Sequence, residues 1–427
     1  MSGEWPTVTI GECAANEPYA TQIGPFGEKI RAEMYTPAGA PILRGTNVNT
    51  AERFHDADFV FMDKETSERD FSKFVCEADD VILCHKGTLG RIGIIPKRNR
   101  YQKYIMGNSM MKVRCDKTRL EPLYLYYWLT SRDGQDYLFS RVSQVGVPQI
   151  QRPLTTLREA KLPCPPLPEQ RAIARILGTL DDKIELNRRM NETLEEMAGT
   201  LFKSWFVDFD PVRARAEGRD PGLPDAIASL FPDRFVDSEL GQIPEGWRVR
   251  SFGDLLELAY GKALKAEVRN DGTIPVFGSN GQIGWHDEPL AAGPGIVIGR
   301  KGNPGTVTWA ATDFFVIDTG FYVVPKSPCP SLHFLFHALR SYDLASLGAD
   351  SAVPGLNRNF VYMSMQCLPD PLVLERFEKI VRVWSERGTS IDGESGALVA
   401  MRDALLPKLI SGALRVKDAA KYIGVTF

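Results

Sequence analysis

No run of about 18 apolar residues occurs in the 427-residue chain, so no segment reads as a membrane span. Residues 1–16 have neither a basic start nor an apolar core, so no secretory leader is expected. The seven cysteines (Cys13, Cys76, Cys84, Cys115, Cys164, Cys329, Cys367) include no C-x-x-C pair. That argues against a zinc site or disulfide framework and fits the reduced thiols of a cytoplasmic protein. Histidine is scarce, with five in all. His333 and His337 stand four apart without the glutamate of H-E-x-x-H, and one packed helix face accounts for them. There is no P-loop: the strings Gly87-Thr88-Leu89-Gly90 and Gly299-Arg300-Lys301-Gly302 lack the following Lys-Ser/Thr. No glycine-rich fingerprint for an adenosyl cofactor and no amino-methylation tetrad appear, and no Ser/His/Asp set can be assembled. The chain is not expected to be a catalyst on its own, and no metal site is expected. Charge of one sign is also lacking: 51 Lys+Arg face 54 Asp+Glu, for a net charge of −3. A polyanion would have to be met by locally concentrated cations.

What is present is ordinary globular composition, 43% apolar and 25% charged, at a length that suggests two to four domains at about 100–200 residues each. The chain also repeats itself. At an offset of 206, Val147-Pro148 falls on Val353-Pro354, Arg152 on Arg358, Leu162-Pro163 on Leu368-Pro369, and Glu169 on Glu375. Near the start of each copy, Trp5 through Gly11-Glu12 resembles Trp247 through Gly253-Asp254 at an offset of 242, so the second copy is 36 residues shorter inside. Length differences of this kind belong in surface loops. Within each copy, short β-rich runs such as Val81–Leu83 and Gly295–Ile298 alternate with Gly/Pro turns. Tyr124–Leu129 and Leu332–Leu339 read as short helices, so each unit reads as α+β.

After each unit the apolar period becomes helical. From Pro168 to about Phe206, Ile173, Leu177, Leu180, Ile184, Leu194, Leu201 and Trp205 recur at steps of three and four, with Asn187 and Asn191 interrupting the seam. Such a helix would be roughly 58 Å long. Two readings of the asparagines stand: they face solvent, or they pair with polar seam residues of a partner helix and fix register. The second copy supplies that partner through Phe377, Ile380, Trp384, Arg387, Ile391, Glu394, Leu398, Met401 and Leu405. Gly388, Gly393 and Gly396 each cost a helix interior about 1 kcal/mol, so a break into 374–387 and 397–410 is expected as an option. Antiparallel pairing of the two helices, holding the globular units apart, is the simplest closure of such a repeat.

Between Cys84 and Asp116 there is no acidic residue, while Lys86, Arg91, Lys97, Arg98, Arg100, Lys103, Lys112 and Arg114 occur there with Tyr101, Tyr104 and Asn108. This local field suits phosphates, whose counterion release drives binding, and it also describes a plain solvated basic face. The second copy has a weaker equivalent in Arg300, Lys301 and Asn303. Arg44-Gly45-Thr46-Asn47 and Gly278-Ser279-Asn280-Gly281 are glycine-flanked polar strings. Their Arg and Asn side chains can match base edges, or they can be ordinary turn residues. Gln144, Gln149, Gln151 and Arg152, with Asn357 and Arg358, add amides and cations near the end of each unit.

Four longer strings resemble those of one family. Pro166-Leu167-Pro168-Glu169-Gln170-Arg171-Ala172-Ile173 is similar to the start of the central conserved region in specificity subunits of type I restriction-modification systems. Leu201-Phe202-Lys203-Ser204-Trp205-Phe206-Val207-Asp208-Phe209-Asp210-Pro211 resembles its end in one common branch. Ser238 through Trp247 resembles the entry to that branch's second target-recognition domain, and Leu405 through Gly412 the family's closing segment. The resemblance implies an α+β protein with two globular target-recognition domains in tandem, separated by two long conserved helices that pair as an antiparallel coiled coil. The expected boundaries are 1–167 for the first domain, 168–208 for the central helix and 209–241 for a linker. The second domain then takes 242–373, the C-terminal helix 374–413 and a tail 414–427.

The resemblance also implies a non-catalytic chain whose domains each read one half of a bipartite, asymmetric sequence in double-stranded DNA. Its helices would set the spacer and dock two methyltransferase subunits, and through them restriction or motor subunits. S-adenosylmethionine, ATP and Mg2+ would be used by those partners, and adenine would be methylated. Base contacts do not carry over with the resemblance, so the candidates rest on side-chain chemistry. They are Arg44, Asn47, Lys86, Arg91, Lys97, Arg98, Gln144, Gln149 and Arg152 in the first domain, and Ser279, Asn280, Arg300, Lys301, Asn303, Asn357 and Arg358 in the second. Two alternatives remain at this stage: a coiled-coil scaffold that never touches DNA, and a self-contained restriction or methylation enzyme, against which the missing motifs count.

Overall fold

A computed structural model of the chain describes residues 5–25, 30–48, 52–143, 146–347 and 355–423. Contacts divide it into two units, residues 1–188 with 393–427, and residues 189–392. Among the described residues no helix is long and apolar enough to cross a membrane.

In the first unit, Thr7–Thr9 lies antiparallel to Lys161–Pro163, with Thr7 opposite Pro163. An antiparallel sheet follows the order Thr21–Ile23, Met110–Val113, Val81–Cys84, Ile92–Ile94. A second sheet orders Val60–Met62, Ala40–Leu43, Tyr104–Met106, Val75–Cys76, with Ala40–Leu43 parallel to Tyr104–Met106. Val81–Cys84 and Met110–Val113 are buried throughout, as short unbroken apolar runs should be. Helix Pro122–Thr130 opens on a proline and buries Tyr124, Leu125, Tyr127 and Trp128 in the core beside them. Two cations of the acid-free window are turned inward. Lys112 is 3% exposed and stands 3.5 Å from the fully buried Asp80, whose carboxylate also takes two 2.8 Å bonds from Arg114.

The second unit repeats this plan. Arg248–Ser251 pairs with Met365–Leu368, and one sheet orders Leu256–Tyr260, Gly320–Pro325, Gly295–Gly299, Val307–Ala310. Ile274–Gly278 is antiparallel to Gly281–His286 and parallel to Phe315–Val316. Helix Leu332–Ser341 stands where Pro122–Thr130 stands in the first unit. The first unit's extra length includes helix Lys64–Asp70 and strand Val75–Cys76, which have no counterpart among the described residues of the second.

Two long helices, Leu167–Phe206 and Pro371–Ser411, follow strands Lys161–Pro163 and Met365–Leu368, and neither is interrupted. The break allowed for between residues 388 and 396 is absent. The three glycines weaken the helix, but Phe377, Val381, Ile391, Leu405 and Leu409 on either side of them are buried, and tertiary burial outweighs propensity. In the first unit Ile173, Leu177 and Leu180 share a core with Leu405, with Leu398 packed against it and Ile184 half-buried. There Arg402 donates to Asp181 at 3.0 Å, and Asn187 Nδ2 donates to Glu394 at 2.9 Å and Ser395 at 3.2 Å. In the second unit the Trp205 and Phe377 rings stand 6.2 Å apart, Leu201, Ile380 and Trp384 pack on the same core, and Leu194 is half-buried. Asn191 Nδ2 donates to Asp392 at 2.6 Å and to the Gly388 carbonyl at 3.3 Å. Both asparagines therefore cross to the opposing helix, although the side-chain partner of Asn191 is Asp392 and not Arg387.

Residues 209–241, expected as a linker, are folded. Phe209, Val212, Ile227 and Phe231 enter the second unit's core, and Phe235–Ser238 pairs with Gly241–Pro244. The expected tail carries helix Val416–Ile423, with Val416 and Ala419 buried in the first unit's core.

His333 and His337 are both buried on helix Leu332–Ser341. His333 Nδ1 lies 2.7 Å from Glu378, and His337 stacks on Phe202 at 5.7 Å. Burial, with the nearby charges of Arg340 and His333, lowers the His337 pKa to about 4. Below the ordinary imidazole value the unfolded chain takes up a proton that the folded chain refuses, so His337 removes stability as pH falls from about 6.5 to about 4. Acid melting curves of His337→Phe should therefore lose less stability across that window than those of the parent; parallel curves would contradict this. Asp80→Ala strands Lys112 and should cost about 3–5 kcal/mol in denaturant unfolding, whereas a loss under 1 kcal/mol would mean the cluster carries no strength.

Candidate nucleic-acid interface

In each unit three loops meet. In the first they are Arg44–Asn47 after strand Ala40–Leu43, 86–91 after Val81–Cys84, and 147–152. Arg91 donates to the Gly45 carbonyl at 3.0 Å, Gly87 N–H donates to the Pro148 carbonyl at 3.0 Å, and Lys86 bridges Gln149 through the backbone. In the second unit they are the Ser279–Asn280 turn between Ile274–Gly278 and Gly281–His286, the loop 300–305 after Gly295–Gly299, and 355–358. Asn303 donates to Asn280, Leu356 N–H donates to the Arg300 carbonyl at 2.8 Å, and Lys301 bridges Gly355. A Cβ on Gly299 would strike the Asn303 carbonyl and come within 2.7 Å of the Ser279 carbonyl, so glycine is what lets these two loops touch.

The matching bridges reveal a motif pair. Lys86-Gly87-Thr88-Leu89-Gly90 and Lys301-Gly302-Asn303-Pro304-Gly305 occupy the same place, and their glycines have φ of +79°, +78°, +84° and +85°. Their offset is 215, between the 242 and 206 found at the ends of the repeat. The shared K-G-x-x-G spacing was the signal that sequence comparison passed over.

The candidates divide by availability. Lys86, Gln149 and Arg152 are exposed around the first loop set, as are Asn280, Lys301 and Asn303 around the second. Among the described residues Lys86, Lys97, Arg98 and Arg152 form no salt bridge, but Lys97 and Arg98 sit in a separate loop tied to Asp56 through the Arg100 N–H at 2.6 Å. Arg44 and Arg91 are half-buried, holding the Asp58 and Gly45 carbonyls. Ser279 is half-buried in its turn, and Asn357 caps helix Arg358–Met363 by accepting from Asn359 N–H at 3.0 Å. Gln144 lies outside the described residues.

Asn47 is a correction. It is fully buried, its Oδ1 accepts from Arg44 N–H at 2.9 Å, and its amide donates to the His55 and Ala57 carbonyls at 3.1 and 2.8 Å. It shapes the loop and offers no edge to a ligand. Much of the basic window is likewise internal. Lys112 and Arg114 serve Asp80, buried Tyr104 donates to Asp56 at 2.8 Å, and Asn108 donates to the Ile30 carbonyl at 3.0 Å. Burial lowers the His85 pKa, with the Lys86 charge acting in the same direction, so this ring adds no charge to the loop beside it. Sequence reasoning missed Tyr260, the exposed end of strand Leu256–Tyr260. Arg300 and Arg358 lie 4.8 and 4.9 Å from its ring centre. A lone aromatic at a strand end carries no motif, and only the fold brings the arginines to it.

Residues 35–196 match the family described as the type I restriction modification DNA specificity domain. The type I restriction enzyme HindI specificity subunit of Haemophilus influenzae is 24% identical over 387 residues, covering 74% of this chain and 82% of that protein. The MjaIX specificity subunit of Methanocaldococcus jannaschii is 26% identical over 319 residues, 69% of each chain. Over residues 35–196 the chain carries the match to this specificity domain, and over most of its length it is similar to type I specificity subunits. The crystal structure of the S subunit of a type I restriction-modification system from M. genitalium shares the fold, with a TM-score of 0.58 at 18% identity over 95% of this chain and 96% of that one. The matched span takes in all three loops of the first set, and the second set stands on the same topology.

Asn47→Ala should cost the first unit about 1–3 kcal/mol in denaturant unfolding, because it strands buried backbone carbonyls and an N–H. An unchanged midpoint would return Asn47 to the accessible set.

Proposed function

We propose that this chain reads DNA with its two loop sets, each unit taking one half of a bipartite, asymmetric site. One observation carries the reading: the same three loops occur twice on one topology, with Lys86 and Arg152 recurring as Lys301 and Arg358 while Thr88 gives way to Asn303 and Gln149 to Gly355. The first set offers Lys86, Gln149 and Arg152, and the second offers Asn280, Arg300, Lys301, Asn303 and Arg358. Arginine and amide side chains offer the paired donors and acceptors that base edges require, and lysines supply the phosphate term. Non-identical loop sets suit non-identical half-sites. The long helices fix the unread spacer and dock two methyltransferase subunits, through which restriction or motor subunits join. S-adenosylmethionine, ATP and Mg2+ belong to those partners, and this chain directs their chemistry without performing it. The absence from the sequence of P-loop and adenosyl-cofactor motifs supports that division of labour.

Modified-base sequencing of DNA from cells carrying the chain with its methyltransferase partner, against cells lacking only the chain, tests the reading. An N6-methyladenine motif in two halves, lost with the chain, is expected. Unchanged methylation with an assembled, active partner would favour a scaffold that does not touch DNA.

A further inference from the structure

Tyr260 of the second unit holds two cations on one ring. Its side chain is 48% exposed, and the guanidinium carbons of Arg300 and Arg358 lie 4.8 and 4.9 Å from its ring centre. The two arginines come from different loops. Arg300 also lies 5.6 Å from the Phe321 ring centre and donates to the Asp318 carbonyl at 3.3 Å, and the Phe321 ring stands 5.0 Å from that of Tyr260. Among the described residues neither arginine forms a salt bridge with a carboxylate. Two like charges thus share one ring, and neither is neutralised by a carboxylate. The attraction of both cations to one ring offsets part of their repulsion and holds the two guanidinium groups close to it. The pair's remaining need is for acceptor oxygens or nitrogens from outside the chain.

The strand registers show that the first unit has no such device. Tyr260 pairs with Phe321, which pairs with Ile298, three residues before Lys301. In the first unit Ile23 pairs with Met111, which pairs with Leu83, three residues before Lys86. The positions of Tyr260 and Arg300 are therefore held by Ile23 and His85. Phosphates must be met in both half-sites, whereas a base edge is read where it occurs. A clamp built into one unit alone suits a base.

We propose that Tyr260 is a positioning residue that sets Arg300 and Arg358 as a fixed pair, and that this pair reads guanine in the half-site taken by the second unit. Arginine forks match guanine O6 and N7 in the major groove. This inference rests on the DNA-reading function above.

The test uses the full chain assembled with its methyltransferase partner, and duplexes carrying each single base change in the two half-sites. Competition binding and methylation are measured, and exchange of the first unit assigns each half. Tyr260→Leu should weaken discrimination at a guanine of the second half-site about tenfold and leave the first half-site as it was. Tyr260→Phe, which restores the ring face, should restore the discrimination. Arg358→Lys keeps the charge but loses the fork, and it should lose discrimination at that guanine with an unchanged salt slope. If Tyr260→Leu does not assemble, Arg358→Lys decides. A second half-site without guanine, or a Tyr260→Leu complex that loses affinity for all duplexes by one factor, would overturn the proposal. A parent complex with no preferred sequence would instead refute the DNA-reading function itself.

Discussion

In each unit the stretch ahead of the long helix is closed by one antiparallel ladder, Thr7–Thr9 on Lys161–Pro163 in the first and Arg248–Ser251 on Met365–Leu368 in the second. The long helices start just beyond, at Leu167 and Pro371. By returning the end of that stretch to its beginning, the ladder also fixes the path of the preceding segment. Residues 147–152 are thereby laid against the Lys86 loop, and 355–358 against the Lys301 loop. Without that closure the third loop of each set would have no fixed place, and residues distant in sequence could not act as one surface.

The charge distribution fits this arrangement. A chain of net charge −3 can meet a polyanion only if its acids are engaged elsewhere and some cations are left uncommitted. In the first unit Asp80 is occupied internally by Lys112 and Arg114, while Lys86 and Arg152 remain exposed at the loops without a carboxylate partner. In the second unit Arg300 and Arg358 are held by an aromatic ring, which orients a guanidinium without neutralising it.

The repeat, the α+β character of its units and the paired helices were legible because they rest on periodicity and spacing, which burial enforces. The Asn187 and Asn191 positions were legible for the same reason, as polar residues in an apolar seam. Burial of polar groups was not. Nothing in the letters separates Lys112, closed over Asp80, from Lys86, open to solvent, or marks the asparagine of Arg44-Gly45-Thr46-Asn47 as buried. The three glycines of the second helix suggested a break because propensity is local, while the burial that holds the helix is tertiary. Residues 209–241 resembled a linker because the burial of Phe209, Val212, Ile227 and Phe231 shows only once the core is assembled. The K-G-x-x-G pair lay in the letters at an offset that neither end of the repeat disclosed, and the Tyr260 clamp required the fold.

Hydrogen–deuterium exchange of the assembled complex, with and without its cognate duplex, tests the two-loop-set account most directly. The account predicts slowed exchange on DNA binding in both sets, at 86–91 with 147–152 and at 278–281 with 300–305. Protection confined to one unit, or to the long helices with the loops unchanged, would contradict it.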